Sequence, residues 1–153
     1  MPRFRAMGLA LLIALLAMAP ALAGTQNTTV TASDAWIRVL PGSLPNAGYV
    51  TLLNTGTQHV ALTGASSAAY RRIMLHQSTE NGGVSRMHAI ARLPIPPHGR
   101  VRLAPGGYHL MLMQPVHPLR PGSTVTIRLR FADGSSLDVP FLARPANATG
   151  ISD

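Results

Sequence analysis

The sequence predicts one all-β domain, a β-sandwich or Greek-key barrel of about nine short antiparallel strands. Three observations predict it. Beyond residue 23, no stretch carries apolar residues at helical spacing over the length of a helix. Short runs of alternating apolar and polar residues lie between recurrent breakers, 13 Pro and 14 Gly in 153 residues, and alternation of period two marks a strand with one buried face. The breaks themselves are turn-forming: Pro41-Gly42, Asn54-Thr55-Gly56, Asn81-Gly82-Gly83, Pro105-Gly106-Gly107, Pro121-Gly122 and Asp133-Gly134. A chain of this length has room for one core that needs no cross-links. No internal repeat and no second domain is visible.

In chain order, residues 1–23 come first and read as an export signal. Arg3 and Arg5 supply the positive start, residues 6–19 an apolar run, Pro20 a break, and Ala21-Leu22-Ala23 a signal-peptidase site. The run falls short of the roughly 20 apolar residues of a membrane span. There is no twin Arg, and no Cys to carry a lipid. The expectation is a cleaved leader and a periplasmic domain over residues 24–153, without stable membrane insertion after cleavage. The predicted strands are 30–39, 48–54, 59–66, 70–79, 84–91, 100–104, 108–114, 123–131 and 136–142. Residues 93–99, with three Pro, cannot supply a regular ladder and are expected to form a loop or sheet edge. Residues 144–153 are polar and expected to be a frayed, flexible tail. Two sequons, at Asn27 and Asn147, carry no functional weight in an exported bacterial-type chain.

Composition excludes several chemistries. Without cysteine there is no disulfide, thiolate metal site, iron–sulfur cluster or thiol nucleophile. All 13 basic residues are Arg, so Schiff-base and P-loop lysines are excluded too. The five acidic residues are dispersed, and neither a GxSxG nor an SxxK motif is present; no enzyme activity is expected. The net charge of +8 is basic, but export and the scatter of the Arg residues argue against nucleic acid. Solvated strand faces account for them first, and steering toward an acidic partner second.

The chemistry lies in His and Met. Along Tyr108-His109-Leu110-Met111-Leu112-Met113, alternate side chains take opposite faces. His109, Met111 and Met113 share one face, and Leu110 and Leu112 turn to the core. The segment 70–91 forms a hairpin around Asn81-Gly82-Gly83. With Asn81-Gly82 as its two-residue loop, His76 stands opposite Met87. A Gly82-Gly83 loop shifts the register by two and leaves both on one face, and only a three-residue loop brings His88 there instead. Met74 shares this face. Each of two elements thus presents imidazole beside thioether, a soft donor set that suits Cu(I) better than Zn(II), Mg(II) or Ca(II). Thioethers cannot be lost to disulfides in an oxidising compartment; their liability is oxidation to sulfoxide.

The spacing His76-x10-Met87-x21-His109-x-Met111 resembles the copper-binding motif of the periplasmic PCu(A)C copper chaperones. Ala35-Trp36-Ile37-Arg38, Ala47-Gly48-Tyr49 with Asn54, and the run from Pro105 to Met111 match further landmarks, so the resemblance covers essentially the whole chain after residue 23. It implies a cupredoxin-like β-sandwich that binds one Cu(I) through His76, Met87, His109 and Met111. It also implies delivery toward the copper A centre of cytochrome c oxidase, to subunit II or with a Sco-type thiol protein. Two features depart from the family: Gln77 follows His76, where some members have Met, and residues 144–153 hold no His or Met for a second, Cu(II) site.

Met74 and Met113 are expected to pack rather than ligate. His59, His88, His98 and His117 are expected on the surface, Trp36 in the core, and Arg128 and Arg130 on a solvated strand face. A blue-copper electron carrier needs a Cys thiolate, and an N-terminal His brace would need His where Gly24 stands. An exported copper-storage or copper-tolerance protein, and a secreted protein-binding module without metal, remain as alternatives. The second of these leaves the matched spacings to chance.

Overall fold

Alternation is clearest late in the chain. From Thr124 to Phe131, Val125, Ile127, Leu129 and Phe131 are buried and the residues between them exposed. A computed structural model describes residues 24–27 and 29–152; the expected leader, residues 1–23, lies outside them. The strands are β1 (Val30–Arg38), β2 (Asn46–Asn54), β3 (Val60–Ser66), β4 (Tyr70–Asn81), β5 (Val84–Ala89), β6 (Leu93–Ile95), β7 (Arg100–Leu103), β8 (Tyr108–Pro115), β9 (Thr124–Phe131) and β10 (Ser136–Arg144). They form one hydrogen-bonded path, β5-β4-β8-β2-β1-β10-β9-β3-β6. Strand β8 pairs with the first part of β2, and β7 with the rest. All described pairings between strands are antiparallel except β1 with β10.

The sheet wraps a single large core. Leu110 and Leu112 of β8 meet Leu75 of β4, Ile127 and Leu129 of β9, and Phe141 of β10 in one cluster. This is the all-β sandwich that the alternation predicts, in the cupredoxin-like form that the family resemblance implies. Burying side chains of this size contributes about 1.5–3 kcal/mol each.

Of the loop or sheet edge expected at residues 93–99, the structure takes the edge: Leu93–Ile95 forms the short edge strand β6 against β3, and its exposed Pro94 suits that place because proline offers no N–H to a further strand. The hairpin loop is Gly82-Gly83, both at positive φ (59° and 76°). Asn81 therefore opposes Val84, and His76 opposes Ala89, two residues out of the Asn81-Gly82 register. Gly-Gly at the two central positions takes the left-handed conformation without the Cβ penalty that Asn would carry at the first.

The C-terminal segment is not frayed up to Ile151. Ala148 is buried against Trp36 and Tyr49, with Ile151 packed beside it, and Arg38 donates from Nε and Nη2 to the Ala148 carbonyl at 3.1 and 2.8 Å. Asn27, within the first sequon, has a structural task. Its side chain accepts from the backbone N–H of Thr29 and Val30 and donates to Ser135 Oγ. Arg128 and Arg130 are exposed as expected, and Arg128 makes a bidentate pair with Asp138 across β9 and β10.

Candidate metal centre

Strands β4, β8 and β5 lie side by side, and their ladder places the His and Met residues on one face. His76 opposes His109, and Met74 opposes Met111. One step along, Ser78 opposes Met87. The paired imidazoles thus form a central row, with the Met111–Met74 row on one side and Met87 on the other. On the opposite face, Leu75 pairs with Leu110 and Ile73 with Leu112, which anchors β4 and β8 to the core. The shift in hairpin register moves Met87 from directly opposite His76 to a diagonal position but keeps it on the same face, because the shift is even.

The two imidazoles differ in their surroundings. His109 is buried, 6% exposed, and its Nδ1 lies 3.2 Å from the Gly107 carbonyl oxygen. A carbonyl only accepts, so the Nδ1 proton is fixed there and Nε2 keeps its lone pair for a ligand. At His76 both ring nitrogens are buried without a hydrogen-bond partner, a rare and costly state for polar atoms. Burial, together with the nearby His109, His88 and Arg72, holds its pKa below the ordinary 6.5. The ring is therefore neutral at neutral pH, the state a metal requires. The rings stand 5.8 Å apart between centroids, inclined at 68°.

Met87, His109 and Met111 line one cleft of about 330 Å³, together with Ser78, Arg38 and Tyr49. Met87 is 53% exposed; Met111 and Met74 are half-buried. A larger cleft of about 460 Å³, between β1 and β7, is lined by no His or Met. Met113 faces Arg72 one row beyond Met74 and Met111. His59, His88, His98 and His117 are exposed. His88 neighbours Met87 on β5 and so takes the other face, opposite Gln77. Among the described residues no three of His, Cys, Asp and Glu come together as a metal site. The soft donors on this face are two imidazoles and thioether sulfurs, a set that favours a soft monovalent ion.

Reading the sequence missed the wall of the cleft formed by Arg38 and Tyr49. Both lie in segments recognised as landmarks, and a signal was available: Trp36 and Arg38, two apart on one strand, must share a face.

The profile of the family described as "Putative lipoprotein LpqE-like" matches residues 30–142. The chain belongs to this LpqE-like family. A curated relative of this LpqE-like chain, "Putative lipoprotein Lxx21020" of Leifsonia xyli subsp. xyli (strain CTCB07), is 37% identical over 117 residues, covering 76% of this chain and 70% of its own. The solution structure of apo-DR1885 from Deinococcus radiodurans is 34% identical, with a TM-score of 0.60 over 97% of this chain and 99% of that one. The same protein has also been solved in its CuI form. The apo PCuAC domain of PmoF2 superposes with a TM-score of 0.65 over 80% of this chain and 94% of that domain, at 22% identity, and shows the shared fold.

Proposed function

We propose that this LpqE-like protein is an exported copper chaperone that holds one Cu(I) on His76, Met87, His109 and Met111 and passes it to an acceptor. One observation carries the reading: the His76 imidazole, neutral and with both nitrogens buried and unpartnered, shares a face with a second, tautomer-fixed imidazole and the thioethers of Met74, Met87 and Met111. An apolar or structural role would leave those nitrogens uncompensated, whereas a bound soft ion satisfies one of them. The Cu(I) form of the 34%-identical DR1885 supports the choice of ion. Neutral ligands with weak proton competition, one of them on an exposed edge strand, suit a carrier that must also let go.

The reading extends to location and destination. Residues 1–23 are a cleaved export signal, residues 24–153 the working domain, and the compartment the periplasm. The acceptor is the copper A centre of cytochrome c oxidase, through subunit II directly or with a Sco-type thiol protein. The role is binding and transfer, not catalysis.

An anaerobic titration of the full chain, expressed for export, with Cu(I) against a chromophoric chelator tests this. It should retain one equivalent of Cu(I), and Zn(II) in excess should not displace it. Failure to hold Cu(I), or equal competition by Zn(II), contradicts the reading. Mixing the loaded protein with the apo copper-A domain should develop the copper A absorption bands; their absence, with and without a Sco-type protein, removes the oxidase as destination.

A further inference from the structure

Strand pairing brings two arginines to the metal face. Arg38 and Arg144 are directly opposed in the parallel β1–β10 ladder, and the same row continues through Ala47 of β2 to Met111 of β8. Only the methyl of Ala47 stands in that row between Arg38 and Met111. Arg38 is held in place. Its guanidinium lies 5.5 Å from the centroid of Trp36 and 5.6 Å from that of Tyr49, and two of its nitrogens donate to the Ala148 carbonyl. Arg144 is half-buried, with Nε buried and unpartnered.

Two like charges side by side repel, yet the one ion pair among the described residues is Arg128 with Asp138. Tyr49 supplies no anion, since burial pushes its hydroxyl pKa up and outweighs the opposing pull of Arg38. Among the described residues no carboxylate lines the metal cleft. Beside it are exposed apolar side chains, Met87 at 53% and Leu44 at 55%; Leu44 belongs to the segment whose Leu40 and Pro45 line the cleft. A preorganised pair of cations with no anionic partner among the described residues, near exposed Met87 and Leu44, is complementary to an acidic surface.

We propose that Arg38 and Arg144 form the docking anchor for the copper acceptor, a protein that presents carboxylates beside its own copper-receiving ligands. This rests on the copper-carrier reading and names the chemistry of the partner. Docked carboxylates would neutralise the guanidinium pair and hold the acceptor over Met87 and Met111. Because Arg38 is already ordered by Ala148 and the two rings, little side-chain entropy is lost on docking.

Two forms of one bis-pyridyl Cu(I) chelator, uncharged and sulfonated, serve as probes of the electrostatic step. Copper removal from the loaded full chain should be favoured for the sulfonated form, and the ratio of the two rates should fall roughly three- to tenfold in the double variant Arg38→Gln, Arg144→Gln. The double variant to Lys should keep the wild-type ratio, which a purely structural role for the two fork-shaped side chains would not. If the Gln variant does not fold, added salt on the wild type reads the same quantity: the sulfonated rate should fall and the uncharged rate hold. A ratio insensitive to both charge removal and salt, or two rates that change together, overturns the anchor while leaving the carrier intact. Failure of the wild type to load Cu(I) at all overturns the carrier reading instead.

Discussion

His76 lies opposite His109 in the β4–β8 ladder, and one imidazole meets the other edge to face at 5.8 Å. Protonating both would set two positive charges against each other in a partly desolvated site. Burial first, then His109, His88 and Arg72, lowers the His76 pKa below 6.5. The folded ring thus binds its proton only at lower pH than the unfolded ring does. Between those two pKa values the unfolded chain holds more protons, so stability falls as pH drops below 6.5 and is unaffected above it. Unfolding midpoints measured against pH for wild type and His76→Gln should diverge only on the acid side. A divergence of the two midpoints already under way above 6.5 would show that His76 is not held neutral.

Met87 and Met111 should separate binding from folding. Met87→Leu and Met111→Leu conserve volume, and such swaps usually cost less than about 1.5 kcal/mol. Each should nonetheless weaken Cu(I) about tenfold or more in a competition titration. Met74→Leu and Met113→Leu, which remove thioethers from the flanking rows, should have much smaller effects. An equal loss from Met74→Leu would move the sulfur ligand from Met111 to its cross-strand partner.

The Gly82-Gly83 turn positions Met87. Both residues have positive φ, and nothing lies within 4 Å of a Cβ added at either. Substitution by Ala therefore acts through the backbone alone, at about 1 kcal/mol per position. Because β5 is an edge strand with all its residues exposed, little else fixes its register. Gly83→Ala should lower both the unfolding midpoint and the Cu(I) affinity, whereas an unchanged affinity would show that Met87 is placed by other contacts.

Asn46 ties the loop before β2 to the sandwich. Its Oδ1 accepts from the Leu40 N–H at 2.8 Å, and its Nδ2 donates to the Tyr70 hydroxyl at 2.9 Å. Asn46→Ala leaves both groups without that partner, and denaturant unfolding should show a loss of about 1–3 kcal/mol. Cu(I) stoichiometry should stay unchanged, because Asn46, although it borders the cleft, pairs with Leu112 rather than Met111 in the ladder and offers no imidazole or thioether.

Much of this was legible in the sequence because period two acts residue by residue. Leu110 and Leu112 against His109 and Met111 fix the faces of β8 without knowledge of its neighbours, and the His76–Met87 hairpin does the same for β4 and β5. Local rules could not choose between Asn81-Gly82 and Gly82-Gly83, since both fit a two-residue turn; pairing along the whole hairpin decides it. The tail was misread for a related reason. Ala148 is buried by Trp36, Tyr49 and Arg38, residues roughly a hundred positions away, and no local polarity pattern reports such a contact. Arg38 and Arg144 likewise become neighbours only through the one parallel pairing in the sheet.

The most direct test of the central claim is X-ray absorption at the copper edge of the Cu(I)-loaded protein. Coordination by His76, His109, Met87 and Met111 predicts a shell with both nitrogen and sulfur scatterers, whose sulfur contribution falls by half in Met87→Leu or Met111→Leu. A shell of nitrogen and oxygen alone, or a sulfur contribution unchanged in both variants, would contradict it.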